Sequence, residues 1–437
     1  MRITMIEPSG HGGLVHFAYE LCQALAEEGH QVRLITACDY ELASLSHRFE
    51  VCPSMRLWPK VSRGKSEPSK SLAAKMKRGA RRIWRGAKLT YELARVTRGV
   101  ISDRPDAVLF SVISYPHLFV APLIISKAGI KTAQICHEFD VRDYELSWVQ
   151  NLALRASQRC YKHFFRIFFL SEATRQDFLD TVGFASEATR RIPHGSQNFF
   201  PRESKHSANK LRQQFGLGKN EPILLYFGYI RPSKGLNELI EAFAATHSCK
   251  SARLIIAGYV TKLADIGEIR QTADRLRVTD RVIFETSYIP NEEVAAYFEL
   301  ARAVVLPYRS ASQSGVLHLA YGYGKPVVAT AVGGLKEDVF EKKTGFLVPA
   351  GDISALSVAL EKMVVDLESA ERMGRCAREL SQTQFTWPAA AKIIIEALSP
   401  TCGDGYAGKS GRVCEHANSD LKHCPLPDAA SSGNAPR

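Results

Sequence analysis

The chain has 437 residues, 45% hydrophobic and 23% charged, more than one ordinary core organises and typical of soluble two-domain proteins. Its ten cysteines are too sparse for a disulfide framework, and "RITMIEP" from residue 2 reads as a strand rather than a leader, so reduced thiols in the cytoplasm are expected. The formal charge of +12 is local: residues 60–98 hold 13 Lys/Arg against Glu67 and Glu92, a net +11, which argues against a nucleic-acid surface spread over the whole chain.

In chain order, "RITMIEPSGHGGLVHFAYELCQALAEEGHQVRLIT" alternates strand, Gly-bearing loop, helix, Gly-His turn and strand, one βαβ unit. Its Ser9–Gly13 loop lacks the full glycine spacing of a phosphate loop, although Gly12 and Gly13 let a ligand approach the backbone closely. From Ser71 onward Leu72, Met76, Ala80, Ile83 and Ala87 recur at helical spacing, with Trp84 beside the stripe and Lys/Arg over much of the remaining surface. Two readings fit this segment: a basic helix lying on an anionic membrane, or a solvated helix whose stripe packs on the N-terminal domain. Nucleic acid ranks below both, because no aromatic stacking series accompanies the charge. The apolar run Ala107–Ile125 approaches the length of a membrane span. Ser, Tyr, Pro and His in its middle favour a buried strand, a turn near Tyr115-Pro116 and a helix.

Strands "KTAQICHE", "RIFFLSE" and "RRIPHG" follow. His137 stands at the end of the first, where its side chain would point into a cleft; an ordinary core or surface histidine is the alternative. Residues 195–210, "GSQNFFPRESKHSANK", read as an interdomain link, after which "ILLYFGYIRPSKGLNELIEAFAATHSCKSARLIIAG" repeats the opening plan. Here Arg231 and Lys234 occupy a strand-to-helix loop between Gly228 and Gly235, a setting for phosphate, with a solvated loop as the plain alternative. Strands "RVIFET", "AVVLPY" and "KPVVAT" continue the alternation.

Between the last two, "RSASQSGV" (309–316) runs uncharged hydroxyls and a glycine into a helix start. Ser312 and Ser314 either cap that first turn or leave its N–H groups for an external phosphate. In the second case residues 228–235 and 312–317 converge on one diphosphate, one side offering charge and the other helix dipole and hydroxyls. Residues 399–437 are poor in apolar side chains and read as a disordered tail; Cys402, Cys414, His416, His423 and Cys424 match no common zinc spacing, so no metal is expected. The fold class is α/β: two doubly wound Rossmann-like domains, 1–200 (with the basic segment 60–98) and 201–380, facing a cleft.

These residues amount to a resemblance over 1 to about 398. "HEFD", "IPHG", "FGYIRPSKGL", "LIIAG", "LPY…SGV…GKPVVATAVGG" and "KKTGFLVPAGD" are similar to motifs of the GT-B fold glycosyltransferases, in particular glycosyltransferase family 4, which uses nucleotide-sugar donors with retention of configuration. "FTWPAAAKII" resembles that family's final helix, here 381–398, which crosses back to the N-terminal domain. The resemblance implies a catalytic set of Arg231, Lys234 and His137. The two cations would stabilise the donor diphosphate as the glycosidic bond breaks. Gly13, Gly228, Ser312, Ser314, Gly315 and Val316 would contact the donor, with Tyr288, Ile289 and Pro290 near its base. Gly12, Gly13 and His137 would border the transferred sugar or the acceptor. It further implies no metal and no cofactor, the nucleotide-sugar being a co-substrate. The acceptor would be a glycan or lipid-linked, in polysaccharide or glycolipid synthesis on the cytoplasmic face of a membrane that residues 60–98 would touch.

Two departures stand out. Where the family carries two glutamates eight positions apart, this chain has Ala311 and Leu319, and a one-residue slip offers only Ser312 and Ala320. Arg231 also lies two positions after the family's usual arginine, which falls on Tyr229. Either Ser312, Gln313 and backbone amides take over, or activity is lost, leaving a binding protein. A nucleotide-sugar epimerase of the same architecture is the other alternative.

Overall fold

The computed structural model describes residues 1–57, 72–112, 116–138, 155–156, 158–200, 208–246 and 251–399, with side chains of 72–79, 81–83 and 116–117 outside the description. Short continuous apolar runs suit parallel strands buried on both faces, and such runs build two all-parallel sheets. Strands β1 (Arg2–Glu7), β2 (Gln31–Ala37), β3 (Glu50–Met55), β4 (Ala107–Phe110), β5 (Lys131–Cys136), β6 (Arg166–Phe169) and β7 (Thr189–Arg191) form the first, in the order β3-β2-β1-β4-β5-β6-β7. Helices α1 (Gly13–Glu27), α2 (Leu72–Asp103), α3 (Val120–Lys127) and α4 (Glu172–Val182) cover it. The period of two along β4 divides the interior: Ala107 and Leu109 enter the core beneath α1, while Val108 and Phe110 enter the one beneath α2 and α3.

The second sheet joins β8 (Ile223–Phe227), β9 (Arg253–Ala257), β10 (Val282–Glu285), β11 (Ala303–Leu306), β12 (Val327–Thr330) and β13 (Gly345–Val348) in the order β10-β9-β8-β11-β12-β13. Its helices are α5 (Ala208–Gln214), α6 (Leu236–Ala244), α7 (Ile266–Arg275), α8 (Asn291–Leu300), α9 (Gly315–Gly322), α10 (Leu335–Asp338), α11 (Ile353–Val365) and α12 (Leu367–Thr383), followed by α13 (Trp387–Leu398). The two doubly wound domains expected from the alternation are therefore present. Strands β3 and β13 were not among the expected strands. β3 is an edge strand with Pro53 inside it, which only an edge tolerates readily. β13 begins at Gly345, where an added Cβ would lie 2.0 Å from the Val327 carbonyl oxygen, and only Phe346, Leu347 and Val348 follow as an apolar run, too short to separate strand from loop.

Helix α13 does cross back. Trp387, Ala390, Ala391, Ile394 and Leu398 are buried in the N-terminal core with Phe17 and Leu21 of α1. The Trp387 Nε1–H donates to the Ser196 carbonyl at 2.7 Å, and the Ser196 N–H donates to the Phe385 carbonyl at 3.3 Å, so the two chain crossings are bonded to each other. A Cβ on Gly195 would lie 2.5 Å from the indole, which explains a glycine there.

The run 107–125 resolves into β4, a turn at Pro116–Phe119 and the start of α3, and among the described residues no helix is long and apolar enough to cross a membrane. The basic helix exists as α2, but its packed stripe lies further along than expected. Leu89, Leu93, Val96 and Val100 enter the core, whereas Ala80 and Ala87 are exposed; the side chains of Leu72, Met76 and Ile83 lie outside the described residues. Trp84 and Tyr91 are 55% and 67% exposed, and the Lys88 ammonium lies 5.0 Å from the Trp84 ring centre. The tail after 399, its Cys and His residues included, and residues 60–71 also lie outside the description.

The link between domains also leans on Glu20 of α1, whose carboxylate accepts the Asn198 N–H at 2.6 Å. Burial raises its pKa to about 7. A carboxyl raised in the folded state binds its proton more tightly there than in the unfolded chain, so this group's stabilisation is full below about pH 4.5. It declines as pH rises to about 7 and is flat above.

Two measurements follow. Urea denaturation of Trp387→Ala should show a loss of about 3–5 kcal/mol, the scale for truncating a buried indole; a loss under about 1 kcal/mol would remove α13 as the tie between domains. For Glu20→Gln, denaturation between pH 5 and 8 should give a flatter stability profile than the parent, by up to about 3 kcal/mol over that window. Parallel profiles would contradict the raised carboxyl.

Candidate functional site

In sheets of this order, ligands sit beyond the carboxyl ends of strands where the winding reverses. The reversals fall between β1 and β4 and between β8 and β11, and both open onto one cavity of about 700 Å³. The N-terminal wall contributes Ser9, His11, Gly12 and Gly13 after β1, Val112 after β4, and His137 and Glu138 after β5. The C-terminal wall contributes Gly228, Tyr229, Arg231 and Lys234 after β8, Gly258 and Tyr259 after β9, and Tyr288 and Ile289 after β10. Residues 313–316 with Leu319 complete it.

Of the expected site residues, Gly12, Gly13, His137, Gly228, Arg231, Lys234, Tyr288, Ile289, Ser314, Gly315 and Val316 line this cavity together. Ser312 and Pro290 do not. Ser312 is buried, and its carbonyl accepts the Ser171 hydroxyl at 3.0 Å, the Thr174 hydroxyl at 3.4 Å and the Gly334 N–H at 3.0 Å, so it ties the two domains instead. Pro290 occupies the N-cap position of α8, and Asn291 faces the cavity in its place.

The serine loop caps its helix and leaves two amides open at the cavity wall. Ser314 is the N-cap of α9, accepting the Leu317 N–H on its side chain at 3.3 Å, with the Tyr308 hydroxyl 3.2 Å from the same oxygen. The N–H groups of Gly315 and Val316, which have no acceptor inside the helix, lie at the cavity wall. A positive dipole end and two amides are thus presented to an anion. Gly228, at φ +116°, packs against Val316, a Cβ there lying 3.4 Å from the valine methyl.

Arg231 reaches the same cavity despite its shifted position, and its Nη2 meets Glu138 Oε1 of the opposite wall at 3.1 Å. The Lys234 ammonium lies 3.5 Å from the centre of the Tyr308 ring. Gly235, at φ +67°, closes this turn so tightly that a Cβ would lie 1.9 Å from the Pro307 carbonyl oxygen.

Two of the histidines lining the cavity, His137 and His194, are held neutral. Burial lowers the pKa of His137 to about 4, and its Nε2 is buried without a hydrogen-bond partner, against the edge of Phe17. His194 is shifted well below its usual value, first by burial and then by His318, against which it stacks at 4.8 Å. Its Nδ1 lies 2.8 Å from the Gly195 carbonyl, an acceptor, so the proton sits on Nδ1 and Nε2 is left bare toward Gly315. Gln313 Oε1 is a second buried polar atom of the cavity wall without a partner. Atoms of this kind need a partner, from solvent or from a ligand.

Several contributors carried no sequence signal of their own. Glu41 accepts the Gly12 N–H at 2.5 Å, lies 2.8 Å from His16 Nε2 and accepts the Tyr288 hydroxyl of the other domain at 2.9 Å. Glu138 and His194 lie inside the quoted motifs "HEFD" and "IPHG" and were not singled out. Tyr229 and Tyr259 are loop residues and Asn291 opens α8, and their placement at the cavity depends on strand order. Of the two glutamate positions, Leu319 lines the cavity and Ala311 does not. Among the described residues no group of three or more His, Cys, Asp or Glu side chains is placed to hold a metal.

Comparison with known proteins matches both halves of the chain. Residues 12–195 match the family described as glycosyl transferase 4-like domain, and residues 207–380 match glycosyl transferases group 1. A GDP-mannose-dependent alpha-(1-6)-phosphatidylinositol monomannoside mannosyltransferase of Mycolicibacterium smegmatis is 29% identical over 53% of this chain and 61% of its own length. A D-inositol 3-phosphate glycosyltransferase of Streptomyces griseus is 30% identical over 49% of this chain and 47% of its own. The alignments therefore span about half to three-fifths of these relatives. In overall fold the chain is similar to HepE of Anabaena, solved in complex with UDP-glucose, with a TM-score of 0.68 at 20% identity, over 91% of this chain and 99% of that one.

Proposed function

The chain belongs to the glycosyl transferases group 1 family, and from that premise we propose that it moves a sugar from a nucleotide-sugar donor to a glycan or lipid-linked acceptor, with retention and without a metal. The observation that carries this is the meeting of Arg231, Lys234 and the open N-terminus of α9 on one cavity between two domains. A diphosphate there would replace Glu138 as the anion beside Arg231 and accept the Gly315 and Val316 N–H groups. These charges stabilise the leaving diphosphate as the anomeric C–O bond breaks. The acceptor oxygen bonds the anomeric carbon, and its proton passes to the departing phosphate oxygen, so no side-chain base is needed. His137, neutral at pH 7, has the polar edge to hold a sugar hydroxyl but not the charge of a general acid.

A second reading has one observation in its favour. Ala311 and Leu319 stand where the family carries glutamates, which suits a protein that binds nucleotide-sugars without transferring from them. An epimerase of the same architecture would instead alter the free donor. A screen of UDP-, GDP- and ADP-sugars by thermal shift, followed by acceptor assays, separates the three.

We propose too that α2 rests on an anionic membrane, peripheral and facing the cytoplasm. Its supports are the +11 of residues 60–98 and the exposed Trp84 and Tyr91, with Val120 and Ile124 also exposed on α3. Such a surface combines charge with interfacial aromatics.

Arg231→Ala and Lys234→Ala should each lower turnover by roughly 10²–10³, the scale for one lost transition-state donor. Near-parental turnover in both, with circular dichroism unchanged, would sink the diphosphate site. Sedimentation with vesicles should recover the chain with anionic lipid at low salt, less so at high salt or after replacing Arg78, Arg81, Arg82 and Arg85 with Gln. Equal recovery from neutral and anionic vesicles would dismiss membrane attachment alone.

A further inference from the structure

Resting on the reading of the cavity as a nucleotide-sugar site, we infer that its wall does not read the ribose 2′-hydroxyl, so that deoxyribonucleoside diphosphate sugars serve as donors alongside ribonucleoside ones. The diphosphate position is set by the N-terminus of α9. The loop after β10, with Tyr288 and Ile289, lies three strand positions from β11 in the order β10-β9-β8-β11, roughly 14 Å away. That is about the reach of a nucleoside diphosphate from phosphate to base, which leaves the ribose between them. Leu319 stands four residues after Gly315, on the same face of α9 and about 6 Å further along it, and it lines the cavity.

A vicinal diol presents two O–H donors, which a carboxylate matches with two acceptor oxygens; acidic side chains hold the ribose of dinucleotides in this way. Among the described residues lining the cavity the one carboxylate is Glu138, which belongs to the opposite domain and is paired with Arg231. Leu319 offers hydrocarbon, 3% exposed. A site built to bond a hydroxyl strongly rejects the analogue lacking it, because its own polar groups are then stranded. A hydrocarbon wall strands nothing and discriminates weakly.

Calorimetry with three pairs that share a base, UDP and dUDP, GDP and dGDP, ADP and dADP, tests this on the full chain. For whichever base binds, the two members should agree within about threefold, the weak discrimination of an apolar wall. Leu319→Glu should then favour the ribose form by at least about tenfold, as a newly placed acceptor would. Leu319→Gln supplies the same acceptor without a buried charge, should the glutamate variant fail to fold. A preference of the parent for the ribose form above about tenfold would overturn the inference and assign the hydroxyl to another group, Asn291 or Tyr288, while leaving the nucleotide site standing. An unchanged ratio in a variant that still binds would overturn it by removing Leu319 from the ribose. Binding of none of the six by a folded chain would overturn the inference together with the reading of the cavity on which it rests.

Discussion

Two parallel sheets can serve one ligand only if their carboxyl ends are held face to face, and here that constraint falls on Trp387. Its helix follows the second domain in sequence yet lies inside the core of the first, against Phe17. Its indole N–H fastens the outgoing link at Ser196, so the two crossings of the chain are bonded side by side. Phe17 also abuts His137 and His194, both lining the cavity. The tie between domains and the floor of the site are thus one packed cluster, and a change in the first is felt in the second.

Around this apolar pivot several further ties are polar. Arg191 of β7 meets Asp338 at 2.9 Å, Glu337 accepts the first two N–H groups of α4, and Glu41 joins the glycine loop to Tyr288. Polar contacts exchange with water at modest free-energy difference, whereas withdrawing an indole from a core does not. The arrangement suits domains that stay registered while the rim of the cleft adjusts. Ser312 links that rim to the cavity, because its carbonyl is held by Ser171 and Thr174 and two residues later the chain begins α9 with its open amides at the cavity wall.

The charge pattern inside the cleft is equally one-sided. Its cations have partners within the protein, Arg231 with Glu138 and Lys234 with the Tyr308 ring, and the buried histidines His137 and His194 stay neutral. Arg231, Lys234 and the α9 helix end therefore supply positive potential to which His137 and His194 add nothing. A diphosphate in the proposed site would displace a single carboxylate, and the remainder of the C-terminal wall offers hydrocarbon, amide and hydroxyl groups.

Much of this could be read from the sequence. Apolar runs alternating with helical periods fix two parallel sheets, and the loops after β1 and β8 announce themselves by glycines and cations. Family motifs then place Gly315 and His137 at one site. What the sequence could not settle is what depends on neighbours distant along the chain. Nothing local distinguishes Ser312 from Ser314, yet one turns into the domain interface and the other caps the helix at the cleft. The three apolar residues Phe346, Leu347 and Val348 of β13 make too short a run to separate strand from loop, and which apolar stripe of α2 packs, that of Leu89, Leu93, Val96 and Val100, depends on the core it meets. Glu41 looks like any loop carboxylate until folding brings Tyr288 to it from 247 residues away. Local propensity and periodicity are properties of a segment; burial, pairing and the direction a side chain takes are properties of what the segment packs against, and only the tertiary structure supplies that.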